Sequence, residues 1–471
     1  MCHARIRADF DDRRHPSHTH LLDDPRHLPE LAHHQAEVRV TSAQSAAPHR
    51  RRLSAHSPAF TLLLAALATL AAFATDMSLP VLGDTAASFG VTVGRATLSL
   101  SAFMIGFAVA PLLSGPLSDH LGRRPVLLVG TALFAVCGAF AAYSGSLGAL
   151  LFWRVMMGAG AGTGFVIVVA MVRDLFSGSE ARVRQSYVNM AAGVAPVIAP
   201  TLGVAIASLG GWRAIYAALA IGAGVLSIAA YFALDESLAA SAKVTTSYRA
   251  HFDRVVAGYA RVLREPVSVG FIGVVALNFG ALFAYVAGSS LVLIGVLGVS
   301  KRTYGILFAC SSLGLMIGAL SNARLSRSGV SHHRLIVIGM TAIVSTALTL
   351  LVLSSVGALR VVTLVPLVVL GFVGHGMVRP NVVQGALEPV PEVAGVASAL
   401  MSAAQMVTGA TASALVSTFF DGRSAQSMTG VMALCACGAA AVYVFVVRPA
   451  ERANAAIPII RSEPNGTRPV P

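Results

Sequence analysis

Charge is what this chain is shortest of. Only 12% of its 471 residues are Asp, Glu, Lys or Arg, about half the share of an ordinary soluble protein. With 55% hydrophobic residues and a mean hydropathy of +0.73, that shortage excludes a water-soluble globule. Cysteine is scarce too: Cys2, Cys137, Cys310, Cys435 and Cys437 lie far apart, four of them in apolar sequence. An odd, scattered set makes no disulfide framework, and Cys435-Ala-Cys437 has no further soft ligand beside it. Nine of the 14 histidines fall in residues 1–57 without fixed spacing, so no metal is expected on them. The apolar sequence also lacks a His/Asp/Glu cluster with metal spacing and a nucleophile–base pair, which argues against a membrane-embedded enzyme. No cofactor is expected.

What is present is a series of long apolar runs. A spanning helix needs about 20 mainly apolar residues, and twelve segments qualify: 59–79, 97–117, 125–144, 148–172, 185–209, 213–233, 268–292, 303–323, 334–354, 360–380, 396–419 and 427–448. The net charge of +13 comes from 34 basic against 21 acidic residues. Most of the basic ones fall in alternate loops, marked by Arg182 and Arg184, by Lys243 to Arg264, and by Arg324, Arg327 and Arg334. That asymmetry is the positive-inside pattern of a membrane protein, not a nucleic-acid surface. It places both termini on the cytoplasmic side and makes the lipid bilayer the main partner. No cleavable signal peptide is expected, because a long polar stretch precedes the first apolar run.

The longest internal polar stretch divides the spans six and six. The expected organisation is a disordered tail (1–57), a first six-helix half (58–233), a linker with one amphipathic helix (234–265), a second half (266–448) and a cytoplasmic tail (449–471). An internal echo supports the split: Gly115-Pro-Leu-Ser-Asp119 ends the second span and Gly318-Ala-Leu-Ser-Asn322 the eighth. Two such halves are the pattern of transporters built from parallel repeats.

The segment Gly115-Pro-Leu-Ser-Asp-His-Leu-Gly-Arg-Arg-Pro125 carries the strongest motif. It closely resembles the loop between helices 2 and 3 of the major facilitator superfamily, through Gly115, Asp119, Gly122, Arg123 and Arg124. The resemblance implies an all-α membrane protein with the major facilitator fold, twelve transmembrane helices in two six-helix halves. It also implies that these residues, with Arg173 and Asp174 of Val172-Arg-Asp-Leu-Phe176, form a charge network that gates the cytoplasmic side.

Three further segments bear on transport. Thr75-Asp-Met-Ser-Leu-Pro80 puts Asp76 inside apolar sequence, where an acid is a functional candidate because its charge costs about 2.5–3.5 kcal/mol. Burial disfavours the charged form, the property a proton carrier needs. The segment resembles a helix-1 signature of multidrug/proton antiporters of the bicyclomycin- and chloramphenicol-resistance type. Arg154, followed by Gly158, Gly160, Gly162 and Gly164, looks like the superfamily's helix-4 motif, and is expected at the depth of Asp76 as its partner in proton coupling. Gly193-Val-Ala-Pro196-Val-Ile-Ala-Pro200-Thr-Leu-Gly203 is a partial match to the helix-5 antiporter motif, with Ala199 and Val204 in place of glycines. In the second half, Asn278, Tyr285, His375 and Gln405 are the polar candidates for the substrate cavity.

The resemblance covers about residues 59–448. It implies proton-coupled efflux of amphipathic drugs or antibiotics across the bacterial inner membrane by alternating access, as a monomer whose partners are a small-molecule substrate and protons. Proton-linked export of a metabolite such as a sugar or nucleoside, by the same fold, is the alternative. A sensor that binds without transport would show ligand binding and no flux.

Overall fold

A computed structural model describes residues 53–238 and 248–456. The tail before residue 53, the residues after 456 and the linker segment 239–247 lie outside the described residues; of the stretch expected to be disordered, 1–57, only 53–57 are described, and there the Leu53 N–H donates to the Ala233 carbonyl at 2.9 Å and Ser57 caps the first helix. Every regular element among the described residues is helical. In chain order these are α1 (Pro58–Asp76), α2 (Leu82–Phe89), α3 (Val93–Leu121), α4 (Arg123–Ala142), α5 (Leu147–Leu175), α6 (Gly178–Ala233), α7 (Tyr248–Leu263), α8 (Pro266–Ser290), α9 (Lys301–Arg327), α10 (His332–Ser355), α11 (Val361–Leu387), α12 (Ala394–Phe419), α13 (Gln426–Val442) and α14 (Arg448–Ala456).

Short polar side chains start the helices. The hydroxyls of Ser57, Thr92, Ser146 and Ser300 accept from the backbone N–H groups of Phe60, Arg95, Ala149 and Thr303 at 3.1–3.3 Å, satisfying donors that a first turn leaves free. Eleven helical runs are long and apolar enough to cross a membrane. The longest, α6, has 56 residues, about 84 Å at 1.5 Å per residue, against a hydrocarbon core of about 30 Å. Gly211 breaks it with φ 67° and ψ −160°, a backbone that a side chain would strain. The break falls at Gly210-Gly211, between the expected spans 185–209 and 213–233, so α6 makes two passes and the bundle has twelve.

One element departs from expectation. The first span does not run unbroken from 59 to 79: α1 ends at Asp76, and a 3-10 turn over Leu79–Val81 leads into α2. Pro80, without an N–H and hostile to helical backbone before it, explains the break beside the acid. At the other end, the segment expected as a cytoplasmic tail begins as the helix Arg448–Ala456.

The helices gather around two apolar cores. One is built from α1 to α6, with Leu64, Phe134, Met157, Val168 and Ile215 at its centre. The other is built from α8 to α13 around Phe271, Tyr285, Phe308, Ile336 and Val416. Glycine permits the tightest packing: a Cβ on Gly158 of α5 would overlap the Phe103 carbonyl of α3. Large apolar side chains such as Val129, Ile221, Val225, Val352 and Phe445 stand exposed outside, as a lipid-facing surface requires.

Between the halves, α3 packs on α12 and α6 on α9. Call the end that carries Arg123, Arg124, Arg324 and Arg327 the basic end. At the far end the halves are closed: Gly94 lies against the Ser417 backbone and Gly305 against Thr201. Toward the basic end, Tyr187, Met190 and Val194 of α6 and Met316, Ile317 and Leu320 of α9 are exposed. The halves therefore touch at the far end, while these faces of α6 and α9 stand uncovered toward the basic end.

Candidate functional site

Asp76 is the one acidic side chain buried among the described residues, 4% exposed. It is the last residue of α1, and its carboxylate accepts from the Thr75 hydroxyl at 3.1 Å. Arg154 of α5 is fully buried. Its Nε donates to the Ser99 carbonyl at 3.1 Å and its Nη1 to the Ala74 carbonyl at 3.0 Å. The guanidinium stacks on Phe103 at 4.5 Å and faces Tyr216 at 5.6 Å, cation–π contacts that gain strength away from water. Its Nη2 has no protein acceptor. Arg154 and Asp76 thus share a layer without an ion pair: the arginine grips the α1 backbone two residues before the acid, at the frayed helix end where carbonyls lack intrahelical partners.

The α6 motif closes over the same point. A Cβ on Gly203 would overlap the Met77 carbonyl, so this glycine lets α6 cross the break in α1. Pro200 is buried beside it, whereas Gly193 faces open space and Pro196 is half-buried. Across the halves, the turn that follows Asp76 packs on α9, whose buried Tyr304 bonds Ser289 at 2.9 Å. The break beside the acid therefore abuts the second half, and sequence reasoning missed Tyr304 because nothing local marks a tyrosine as belonging to such a contact.

At the basic end, Arg123 is the hub. Its Nη1 meets Asp119 at 2.6 Å and its Nε meets Asp174 at 2.8 Å, with its side chain only 7% exposed. It also donates to Ser118 at 2.5 Å. Arg124 turns away, donating to the Tyr231 carbonyl at 2.5 Å. Arg173 stands apart, reaching toward Gly395 of α12 in the other half. The five-membered network read from the sequence is thus a three-membered cluster with two arms.

One member of this cluster was not anticipated. The Glu236 carboxylate accepts from the backbone N–H of Arg123 at 2.8 Å and of Arg124 at 3.2 Å, capping α4 where a carboxylate meets the positive helix end. Gly122 makes room for it: its φ is +103°, and a Cβ there would lie 2.9 Å from the Glu236 carboxyl carbon. The available signal was an acid in Leu234-Asp-Glu-Ser-Leu238, against the basic bias of that side. Gly115 has open space where its Cβ would be, so its role is not steric in this conformation. The second copy of the motif is neutral: Asn322 accepts from Asn381 at 2.7 Å, an amide pair in place of the ion pairs.

The four cavity candidates separate. Tyr285 is turned into the second half, its hydroxyl 3.0 Å from Ser311 and its ring stacked on Phe308. His375 lies in the same interior, beside a recess lined by Ala281, Ile343, Thr346 and Phe372. Both are held by packing within one half instead of facing the space between halves. Gln405 of α12 donates to Met401 at 3.3 Å. Asn278 of α8 is buried with both amide atoms unpartnered, an arrangement that costs stability unless something else satisfies it.

Twelve passes in two packed halves and a buried acid in the first are the build of a secondary transporter. The Major Facilitator Superfamily model matches residues 64–413. The chain belongs to that superfamily; it is a multi-pass membrane transporter of small molecules and not an enzyme. It is 31% identical over 362 residues to an uncharacterized transporter of this type from Bacillus subtilis (strain 168), covering 76% of this chain and 88% of that one. It is 29% identical over 349 residues to multidrug resistance protein D of Escherichia coli (strain K12), covering 74% and 85%. A chloramphenicol resistance protein of Pseudomonas aeruginosa matches at 29% over 351 residues, covering 73% and 80%. Among solved structures, a D-xylose–proton symporter shares the fold with a TM-score of 0.63 at 16% identity, covering 83% of this chain and 98% of that one.

Proposed function

We propose that this protein exports amphipathic drugs or antibiotics in exchange for protons by alternating access, as a monomer in the bacterial inner membrane with both termini cytoplasmic. The observation that carries the reading is the Asp76 carboxyl, buried where α1 breaks, beside a turn that packs on the opposite half. An acid so placed can be protonated with the bundle open to one side and released with it open to the other. Arg154 supplies the counter-charge: it holds the backbone beside Asp76 and keeps Nη2 free to receive a carboxylate. The Asp119–Arg123–Asp174 cluster, capped by Glu236, acts as the gate at the cytoplasmic end. Relatives named for multidrug and chloramphenicol resistance support drugs as the cargo.

The test is a growth-inhibition panel of antibiotics in a pump-deleted host. The wild-type protein should raise tolerance to several amphipathic compounds, and Asp76→Asn should abolish that gain. Unchanged tolerance with wild-type protein in the membrane, or full resistance with Asp76→Asn, would overturn the reading.

A further inference from the structure

Arg379 has no place in the machinery described so far. It lies on α11, eight residues before that helix ends at Leu387, so about 12 Å inside the basic end. Its side chain makes no hydrogen bond or ion pair with any described residue, and it is open to solvent. Yet it does not face lipid. It continues the stripe of Phe372 and His375, at positions i, i+3 and i+7, and Phe372 packs on Tyr285 of α8 at 5.3 Å. The outward side of α11 is marked instead by Val362 and Leu370. Toward the basic end, Asn381 ties α11 to α9 and Gly385 packs on Phe271 of α8, so α11 stays packed within its half at this level. A position on this inward stripe that solvent still reaches describes the wall of a recess toward the basic end.

The charge balance gives this position its meaning. Asp76 lies buried in its span with Arg154 in the same layer, while Arg379 lies near the basic end of α11. Arg154 has backbone carbonyls and aromatic faces around it. Arg379 has neither, and arginine cannot shed its proton to escape the cost. A fixed, unpaired cation among apolar walls repels cationic guests and favours a planar anion, which its forked donors can meet with two parallel hydrogen bonds.

We infer that Arg379 is a specificity residue of the transport cavity, binding the carboxylate of amphipathic organic anions that enter from the basic end. This rests on the export reading and sharpens it to one class of cargo.

A matched set tests it: 1-naphthoate, 1-naphthamide and 1-naphthylmethylammonium, which share a ring and differ in charge. Binding to the purified full-length protein is measured by equilibrium dialysis. Wild type should bind naphthoate about tenfold or more tightly than naphthamide, and the ammonium compound least. Arg379→Gln should bring naphthoate to the level of naphthamide while leaving naphthamide unchanged, which also shows that the variant is folded. Arg379→Lys should retain part of the preference, because the charge stays and the fork is lost. A wild-type protein that binds none of the three or shows no preference for the anion overturns the inference, as does an Arg379→Gln variant that keeps the preference. If the charge order holds while the antibiotic panel shows no tolerance, the export reading fails and the specificity assignment stands.

Discussion

The Asp76 carboxyl and the Arg154 guanidinium lie in one layer without pairing directly, which changes what substitutions should do. If charge alone mattered, Arg154→Lys would be mild. Here two separate nitrogens reach the carbonyls of Ser99 and Ala74, and the flat group lies on Phe103. A lysine can replace neither the spacing nor the stacking. Arg154→Lys is therefore expected to lose most uphill transport, almost as much as Arg154→Ala, in inverted vesicles energised by a proton gradient. Each hydrogen bond to a charged group contributes about 1.5–3 kcal/mol, so both variants should also unfold at lower temperature than wild type. Asp76→Asn should behave differently. The amide mimics the protonated acid, so substrate binding persists while uphill export is lost. Substrate added to unbuffered purified protein should release protons from wild type and not from Asp76→Asn; equal release would remove Asp76 from the carrier role.

At the scale of elements, the α3–α4 junction shows what sequence can and cannot reveal. Glycines, an acid and two arginines between apolar runs are local, so the turn and its chemistry were readable. So were the twelve passes, because membrane length and hydropathy are properties of one segment at a time. Partners supplied by distant segments were not. Glu236 lies more than a hundred residues from the N–H groups it caps, and Arg173 points toward α12 rather than into the cluster. The same limit misled the reading of Tyr285 and His375, whose polarity suggested a cavity although Ser311 and the aromatic packing hold them inside one half. The junction makes its own prediction. Asp119 is one-third exposed and sits among cations far from Asp76, so Asp119→Asn should slow turnover more than it weakens equilibrium substrate binding. Gly122→Ala should be the harsher change, because it combines positive φ with a clash against Glu236. Shortening the acid, as in Glu236→Asp, should restore part of the turnover lost in Gly122→Ala, whereas a clash with some other group would leave the double variant no better.

For the whole molecule, alternating access requires the far end to open as the basic end closes, and one contact there joins the halves by charge. Lys301, the first residue of α9, meets both oxygens of Asp84 on α2 at 2.6 Å. The two side chains are 42% and 45% exposed, so the pair contributes no more than about 1 kcal/mol. That is small against folding but not against an exchange between two conformers, where 1 kcal/mol changes the population ratio about fivefold. It is also small beside the drive: one proton moving down about 150 mV supplies roughly 3.5 kcal/mol, so the latch biases the resting state without stalling the cycle. Lys301→Ala should shift the equilibrium toward opening at the far end. Ser417, packed against Gly94 there, offers a reporter: in a protein with the five native cysteines replaced, Ser417→Cys should react with a membrane-impermeant maleimide up to about fivefold faster once Lys301 is alanine. Exchanging the two charges, Asp84→Lys with Lys301→Asp, should return the rate toward its original value, because the pair would re-form with opposite polarity. A labelling rate that ignores the loss of Lys301, or that the exchange fails to restore, would leave the closure of the far end to apolar packing alone.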